Sequence, residues 1–140
     1  MGLGLDANWT GDHGYGIGIM QIDRRYHPGF TETHLNNDHQ ANINYGAQFL
    51  ADLISAFNGE FRPAIAAYNA GENRVRNALR AGLNPDQVTT GGDYSRDVLH
   101  RMEVIQSVMG LTKASSMAVY LLPAGLVGLA TYTYLKTPSS

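Results

Sequence analysis

The chain has 140 residues, enough for one domain with a buried core. Ten basic against twelve acidic residues give a formal net charge of -2, which removes the electrostatic case for nucleic acid, a partner that needs a concentrated basic face. Cysteine is absent, so disulfides and thiolate metal sites are excluded, while the cellular compartment stays open.

Met1 to Asp6 has neither a basic stretch nor an apolar one, so it does not read as a signal peptide. Asp6 also stands where a myristoylation signal takes serine or threonine. A glycine-rich run follows, Gly11-Asp12-His13-Gly14-Tyr15-Gly16-Ile17-Gly18-Ile19-Met20-Gln21-Ile22-Asp23, continuing into Arg24-Arg25. Within it, Tyr15 to Ile22 is the one stretch whose alternation allows a strand. From Gln40 to Phe57 the residues Ile43, Ala47, Leu50, Leu53, Ile54 and Phe57 recur at helical spacing, and Asn58-Gly59 closes the pattern. Pro63 fits a first helical turn, so Ala64 to Ala70 reads as a short buried helix. Asn73 to Ala81, closed by Gly82, predicts another, with Val75 and Leu79 inward. Thr89 to Asp93 is turn material. Tyr94, Val98, Met102, Ile105 and Met109 then form an apolar stripe that Gly110 caps.

The tail differs from this helical head. Ala114 to Leu135 carries no charge and is bracketed by Lys113 and Lys136. Twenty-two uncharged residues are long enough to cross a bilayer, and Tyr120, Tyr132 and Tyr134 suit its interfaces. A helix docking on the head and a poorly ordered extension are the other readings, so 111–140 is taken as a linker and apolar segment with possible membrane association through 114–135.

The glycine-rich run does not fit a nucleotide loop, having no lysine-serine or lysine-threonine pair behind it and no apolar strand ahead. Asp6, Asn8, Thr10 and Gly11 imitate the start of a calcium loop, but its twelfth position is Ile17 rather than glutamate. His34 and His39 lack the spacing of helical zinc ligands. No metal and no cofactor is therefore expected. On spacing alone Asp12 is a turn former, Asp23 pairs with Arg24 or Arg25, and Tyr68 is a core aromatic.

Four motifs in order change that weighing. Gly11-Asp12, the glycine-rich loop, Gly18-Ile19-Met20-Gln21-Ile22-Asp23 and Ala67-Tyr68-Asn69-Ala70-Gly71 together resemble the goose-type lysozymes and the related soluble lytic transglycosylases. The resemblance covers about Gly2 to Gly110. It implies a mainly α, lysozyme-like helical domain over 1–110 with a glycine-rich active-site loop, followed by the apolar C-terminal segment. The implied partner is the glycan strand of peptidoglycan, cut at the β-1,4 bond between N-acetylmuramic acid and N-acetylglucosamine, in an extracellular or cell-envelope setting.

By the same resemblance Asp12 and Asp23 handle the attacking water. Gln21, Tyr68, Asn69 and Tyr94 line the substrate cleft, and His13 contacts substrate. The logic is that of inverting glycosidases, in which a carboxylic acid protonates the leaving oxygen while a carboxylate on the other face prepares water. Relatives carry that acid in a glutamate-serine pair roughly a dozen residues before Asp12. None of the eleven residues ahead of Asp12 is glutamate, which reads as a chain whose Met1 is internal to a longer enzyme. Glu32, Glu60, Glu72 and Glu103 read as surface residues. A lytic transglycosylase giving 1,6-anhydro products, and a relative that only binds glycan, are the alternatives.

Overall fold

A computed structural model describes residues 9–33 and 38–110, so His34 and the apolar tail lie outside the described residues. Among the described residues no helix is long and apolar enough to cross a membrane. Three two-residue strands, β1 (Thr10–Gly11), β2 (Gly16–Ile17) and β3 (Ile22–Asp23), form an antiparallel sheet in the order β1-β2-β3. Five helices follow: α1 (Pro28–Thr31), α2 (His39–Ala56), α3 (Phe61–Ala70), α4 (Glu72–Arg80) and α5 (Tyr94–Val108). Two 3₁₀ turns, Pro85–Val88 and Thr90–Gly92, connect α4 to α5.

The expected mainly α fold is observed, and α3 is its centre. It packs against α2, α4 and α5. Ala64, Ala66 and Ala67 are at most 1% exposed, and side chains that stop at Cβ allow neighbouring helices to approach closely. Leu53, Ile54 and Phe57 of α2 and Val75 of α4 complete this core. The helix α3 begins at Phe61, placing Pro63 third, still within the first turn where backbone N–H groups have no helical partner. Asp38 caps α2 by accepting from the Ala41 N–H at 3.1 Å. At the other end Arg76 donates to the Ala56 carbonyl at 2.7 Å and lies over the Phe57 ring, tying α4 to the end of α2.

The buried faces match the apolar pattern only in part. In α2 Leu53 and Ile54 are buried as predicted, but Asn42 and Gly46 are buried with them while Ile43 and Ala47 face out. In α4 Val75 is buried as predicted, and Ala78 is buried where Leu79 was expected. In α5 the buried residues are Ser95 and Gln106, whereas Ile105 and Met109 are more than half exposed. One cause is clear at each end. Met20 comes so close to α2 that only glycine fits at position 46, and Ser95 is drawn inward by a buried carboxylate.

That carboxylate is Asp86, only 2% exposed. It accepts from the Ser95 N–H at 2.7 Å, from the Ser95 hydroxyl at 2.8 Å and from Arg62 at 3.3 Å. Asp86 thereby caps the first turn of α5, a role that Asp93 at the helix start does not take. Burial pushes its pKa up, but the Ser95 and Arg62 bonds outweigh this and hold it below the ordinary carboxylate range. A folded pKa below the unfolded one means stability that is full above about pH 4 and lost as pH falls through the folded value. Asp86→Ala should therefore cost about 2–4 kcal/mol at pH 7. Urea denaturation at pH 7 and at pH 3 should show the gap to wild type narrowing in acid; a constant gap would show that the charge contributes nothing.

Candidate functional site

The small sheet explains how two aspartates eleven residues apart come together. Its register pairs Gly11 with Gly16 and Gly16 with Asp23, so Asp12, the next residue after Gly11, arrives beside β3. Arg25 joins them. Its Nε donates to both Asp23 oxygens at 2.9 and 3.1 Å, its Nη2 bonds Asp23 Oδ2, and the same Nη2 reaches Asp12 Oδ2 at 2.9 Å. The backbone N–H of Arg25 adds a bond to Asp23 Oδ1 at 2.9 Å. The guanidinium lies 4.0 Å from the centre of the Tyr15 ring, which fixes its plane. Hydrogen bonding by the Arg25 side chain is the main reason that the Asp23 pKa falls below its ordinary value, against a smaller opposing effect of burial. Asp23 is thus ionised and oriented, while Asp12, more than half exposed, has a single arginine contact.

The loop between β2 and β3 is anchored from two helices. Asn42 of α2, 3% exposed, donates to the Ile17 carbonyl at 2.9 Å and accepts from the Met20 N–H at 2.7 Å. This approach leaves no room for side chains on either partner. A Cβ on Gly18 would lie 2.4 Å from Asn42 Cγ, and one on Gly46 would lie 2.7 Å from Met20 Cβ. From α3, the Tyr68 hydroxyl donates to the Met20 carbonyl at 3.0 Å. Burial, and then the nearby Tyr94, push the Tyr68 phenol well above its ordinary pKa, so it stays protonated and keeps donating.

A cleft of about 580 Å³ opens between the strand-and-loop segment and the junction of α3 with α4. Gln21, Asp23, Tyr68 and Asn69 line it, as do Arg25, Tyr26, His27, Phe49, Glu72 and Arg74. Asp23 and Tyr68 therefore share one cleft. Asp12 and His13 lie outside its lining: Asp12 connects to it through Arg25, and the His13 side chain is 93% exposed and 3.7 Å from Asp12. Tyr94 stands behind Tyr68 rather than in the cleft, and its own phenol is raised by burial. Asn69 uses its carbonyl oxygen to accept from the Thr90 N–H at 2.8 Å, leaving its amide hydrogens for a ligand.

Two cleft residues, Arg25 and Phe49, escape a reading of the sequence. Arg25 is legible only as a surface partner for Asp23, since nothing in the spacing shows that one guanidinium serves both aspartates. Phe49 is masked by its place in a helical stripe. Glu72 lines the cleft, but Arg76 holds it at 2.7 Å in a half-exposed pair, the reverse of the desolvated pocket a proton donor needs. His27 shares a 3.0 Å hydrogen bond with the Tyr45 hydroxyl, and burial pushes its pKa down against the opposing pull of Asp23. Among the described residues no group of three or more His, Cys, Asp or Glu is placed to hold a metal ion. A second hollow of about 500 Å³, beside Arg62, Arg96 and Asp97, carries none of the motif residues.

Comparison with known proteins agrees with this geometry. The family model "Lysozyme g" matches residues 1–107. Lysozyme g of Gallus gallus is 34% identical over 105 residues, 69% of this chain and 46% of that protein. Lysozyme g of Struthio camelus is 32% identical over 111 residues, 73% of this chain and 50% of that protein. Lysozyme g of Takifugu rubripes is 33% identical over 114 residues, 74% of this chain and 58% of that protein. No solved structure matches the chain significantly. The fold is that of a lysozyme-like helical domain. The chain belongs to the lysozyme g family, and it spans about half the length of the curated relatives it matches.

Two substitutions test how the site is held. Alanine favours an isolated helix by about 1 kcal/mol over glycine. Gly46→Ala should nonetheless destabilise the protein by about 1–3 kcal/mol, because the Met20 Cβ cannot swing away as a side-chain tip would. A raised melting temperature would show that the loop yields freely. Arg25→Gln should move the Asp23 carboxyl titration upward toward the ordinary carboxylate range, read by carbon-detected NMR. An unchanged titration would mean that something other than the guanidinium holds Asp23 ionised.

Proposed function

We propose that this chain is the cleft-bearing part of a peptidoglycan muramidase that hydrolyses the β-1,4 bond between N-acetylmuramic acid and N-acetylglucosamine with inversion. The observation that carries the reading is the pair of carboxylates gathered by Arg25, with Asp23 lining one cleft beside Tyr68 and Asn69 and Asp12 just outside that lining. A carboxylate held ionised is suited to orient water for attack on the sugar, and a second carboxylate beside it shares the load. Asp23 has the fixed geometry for orientation. Asp12, more exposed and with one arginine contact, is the less constrained of the two. Gln21 and the free amide of Asn69 supply hydrogen bonds to N-acetyl groups. His13 and Tyr94 take outlying roles, at the rim and behind Tyr68.

The acid for the leaving oxygen is the part this cleft does not supply. The resemblance assigns it to a glutamate ahead of the matched segment, and a general acid contributes about 10²- to 10⁴-fold. The 140-residue chain should therefore bind purified peptidoglycan but release reducing ends at least about 10²-fold more slowly than a fusion carrying the N-terminal half of the Gallus gallus relative. In the active fusion Asp23→Asn should lower turnover by about 10²-fold, with Asp12→Asn equal or milder. New reducing ends should have inverted configuration. 1,6-Anhydro ends would instead make the protein a lytic transglycosylase, and a fusion that binds without cutting would leave glycan binding as its function.

A further inference from the structure

The charges lining the cleft do not cancel where they stand. Asp23 is taken by Arg25, and Glu72 is taken by Arg76, which lies outside the lining. His27 is bonded to Tyr45, and its burial favours the neutral ring. That leaves Arg74, exposed in the first turn of α4, as the one cation of the cleft with neither an acid nor a hydrogen-bond acceptor among the described residues. The segment that faces it across the opening presents Tyr26, 78% exposed. The nearest cation to the Tyr26 ring is Arg25, at 5.9 Å from the ring centre and already stacked on Tyr15. One side of the cleft thus offers a largely exposed aromatic ring and the other an exposed guanidinium without an acid partner among the described residues.

We propose that Tyr26 and Arg74 form a specificity subsite for an acid-bearing N-acetylhexosamine, the ring lying on the Tyr26 face and a carboxylate pairing with Arg74. An aromatic ring is an apolar surface with a polar tip, suited to the C–H face of a sugar with its hydroxyls toward water. A guanidinium matches a carboxylate with two parallel N–H bonds, geometry that a neutral chitin chain cannot use. Two carboxylates of the same polymer have this chemistry: the lactyl ether acid of an unsubstituted muramic residue, and the acid groups of a peptide attached there. The inference rests on the glycan-binding reading of the cleft and adds to it the two residues that select acidic over neutral strands.

The test uses the 140-residue chain and four probes in calorimetric titration at low salt. They are chitotetraose, the N-acetylglucosaminyl-N-acetylmuramic acid disaccharide with its free lactyl acid, the same disaccharide carrying a dipeptide acid, and its fully amidated form. Wild type should bind at least one acidic probe about three- to fivefold more tightly than the amidated form, the range of an exposed ion pair. Which acidic probe shows the preference identifies the carboxylate. Arg74→Gln should abolish the preference while leaving chitotetraose unchanged, and Arg74→Lys should keep part of it. Tyr26→Ala should weaken all four probes, with Tyr26→Phe near wild type. Equal wild-type affinity for acidic and amidated probes overturns the subsite alone, as does a preference that survives Arg74→Gln. Failure of wild type to bind any probe overturns the glycan reading of the cleft, and the subsite with it.

Discussion

Asn42 reaches out of α2 with both ends of one amide, donating to Ile17 and accepting from Met20. Buried, fully bonded amides of this kind are costly to disturb, because removing one partner strands the other away from water. Everything that makes a site here hangs from that contact. It sets the distance between the loop and α2, which makes glycine necessary at positions 18 and 46. With the loop pinned, its Met20 carbonyl meets the Tyr68 hydroxyl of α3, so the loop is held from two helices at once. Its flanking strands then carry Asp12 and Asp23 to one edge, and the cleft is the space left between that edge and the α3–α4 junction.

The electrostatics of the edge follow from a shortage of positive charge. Two carboxylates brought together repel, and one of them ordinarily takes a proton as a result. Arg25 offsets the repulsion by bonding both oxygens of Asp23 and one of Asp12. The arrangement is unequal, four bonds on one acid and one on the other. The two carboxylates are therefore held differently, Asp23 fixed on both oxygens and Asp12 tethered through one. A similar economy operates at Asp86, where a buried carboxylate is tolerated because the Ser95 N–H, the Ser95 hydroxyl and an arginine converge on it.

The helices were legible because their apolar residues recur at helical spacing, and Asn58-Gly59, Gly82 and Gly110 end them where predicted. The site was legible only as motifs, through Asp12, Gln21, Asp23, Tyr68 and Asn69. Apolar counting failed wherever close approach, rather than hydrophobicity, decides what is inside. Gly46 is buried because Met20 occupies the space its side chain would fill, and Asn42 is buried because both its bonds are made. Ile43 and Ala47, one position along, carry the apolar signal and face outward. Ser95 and Gln106 displace Ile105 in α5 in the same way, the rotation being set by Asp86. The sharing of Arg25 is a tertiary fact, since it depends on a register between two-residue strands that propensity does not specify.

The backbone of the loop shows what this anchoring sustains. Five non-glycine residues have positive φ among those described, and four of them, Trp9, Asp12, His13 and Gln21, fall within the strand-and-loop segment. Each such residue costs on the order of 1–3 kcal/mol and persists only where surrounding contacts determine it. The contacts are identifiable. The Asp12 carboxylate is drawn to Arg25, and the Gln21 amide folds back onto the Gly18 carbonyl at 2.7 Å. Glycine at positions 12 or 21 would relieve the strain and remove the carboxylate or the amide together. Strain here is therefore the consequence of carrying an acid and an amide where the chain must turn, and Asn42, Tyr68 and Arg25 are the residues that make that conformation stable.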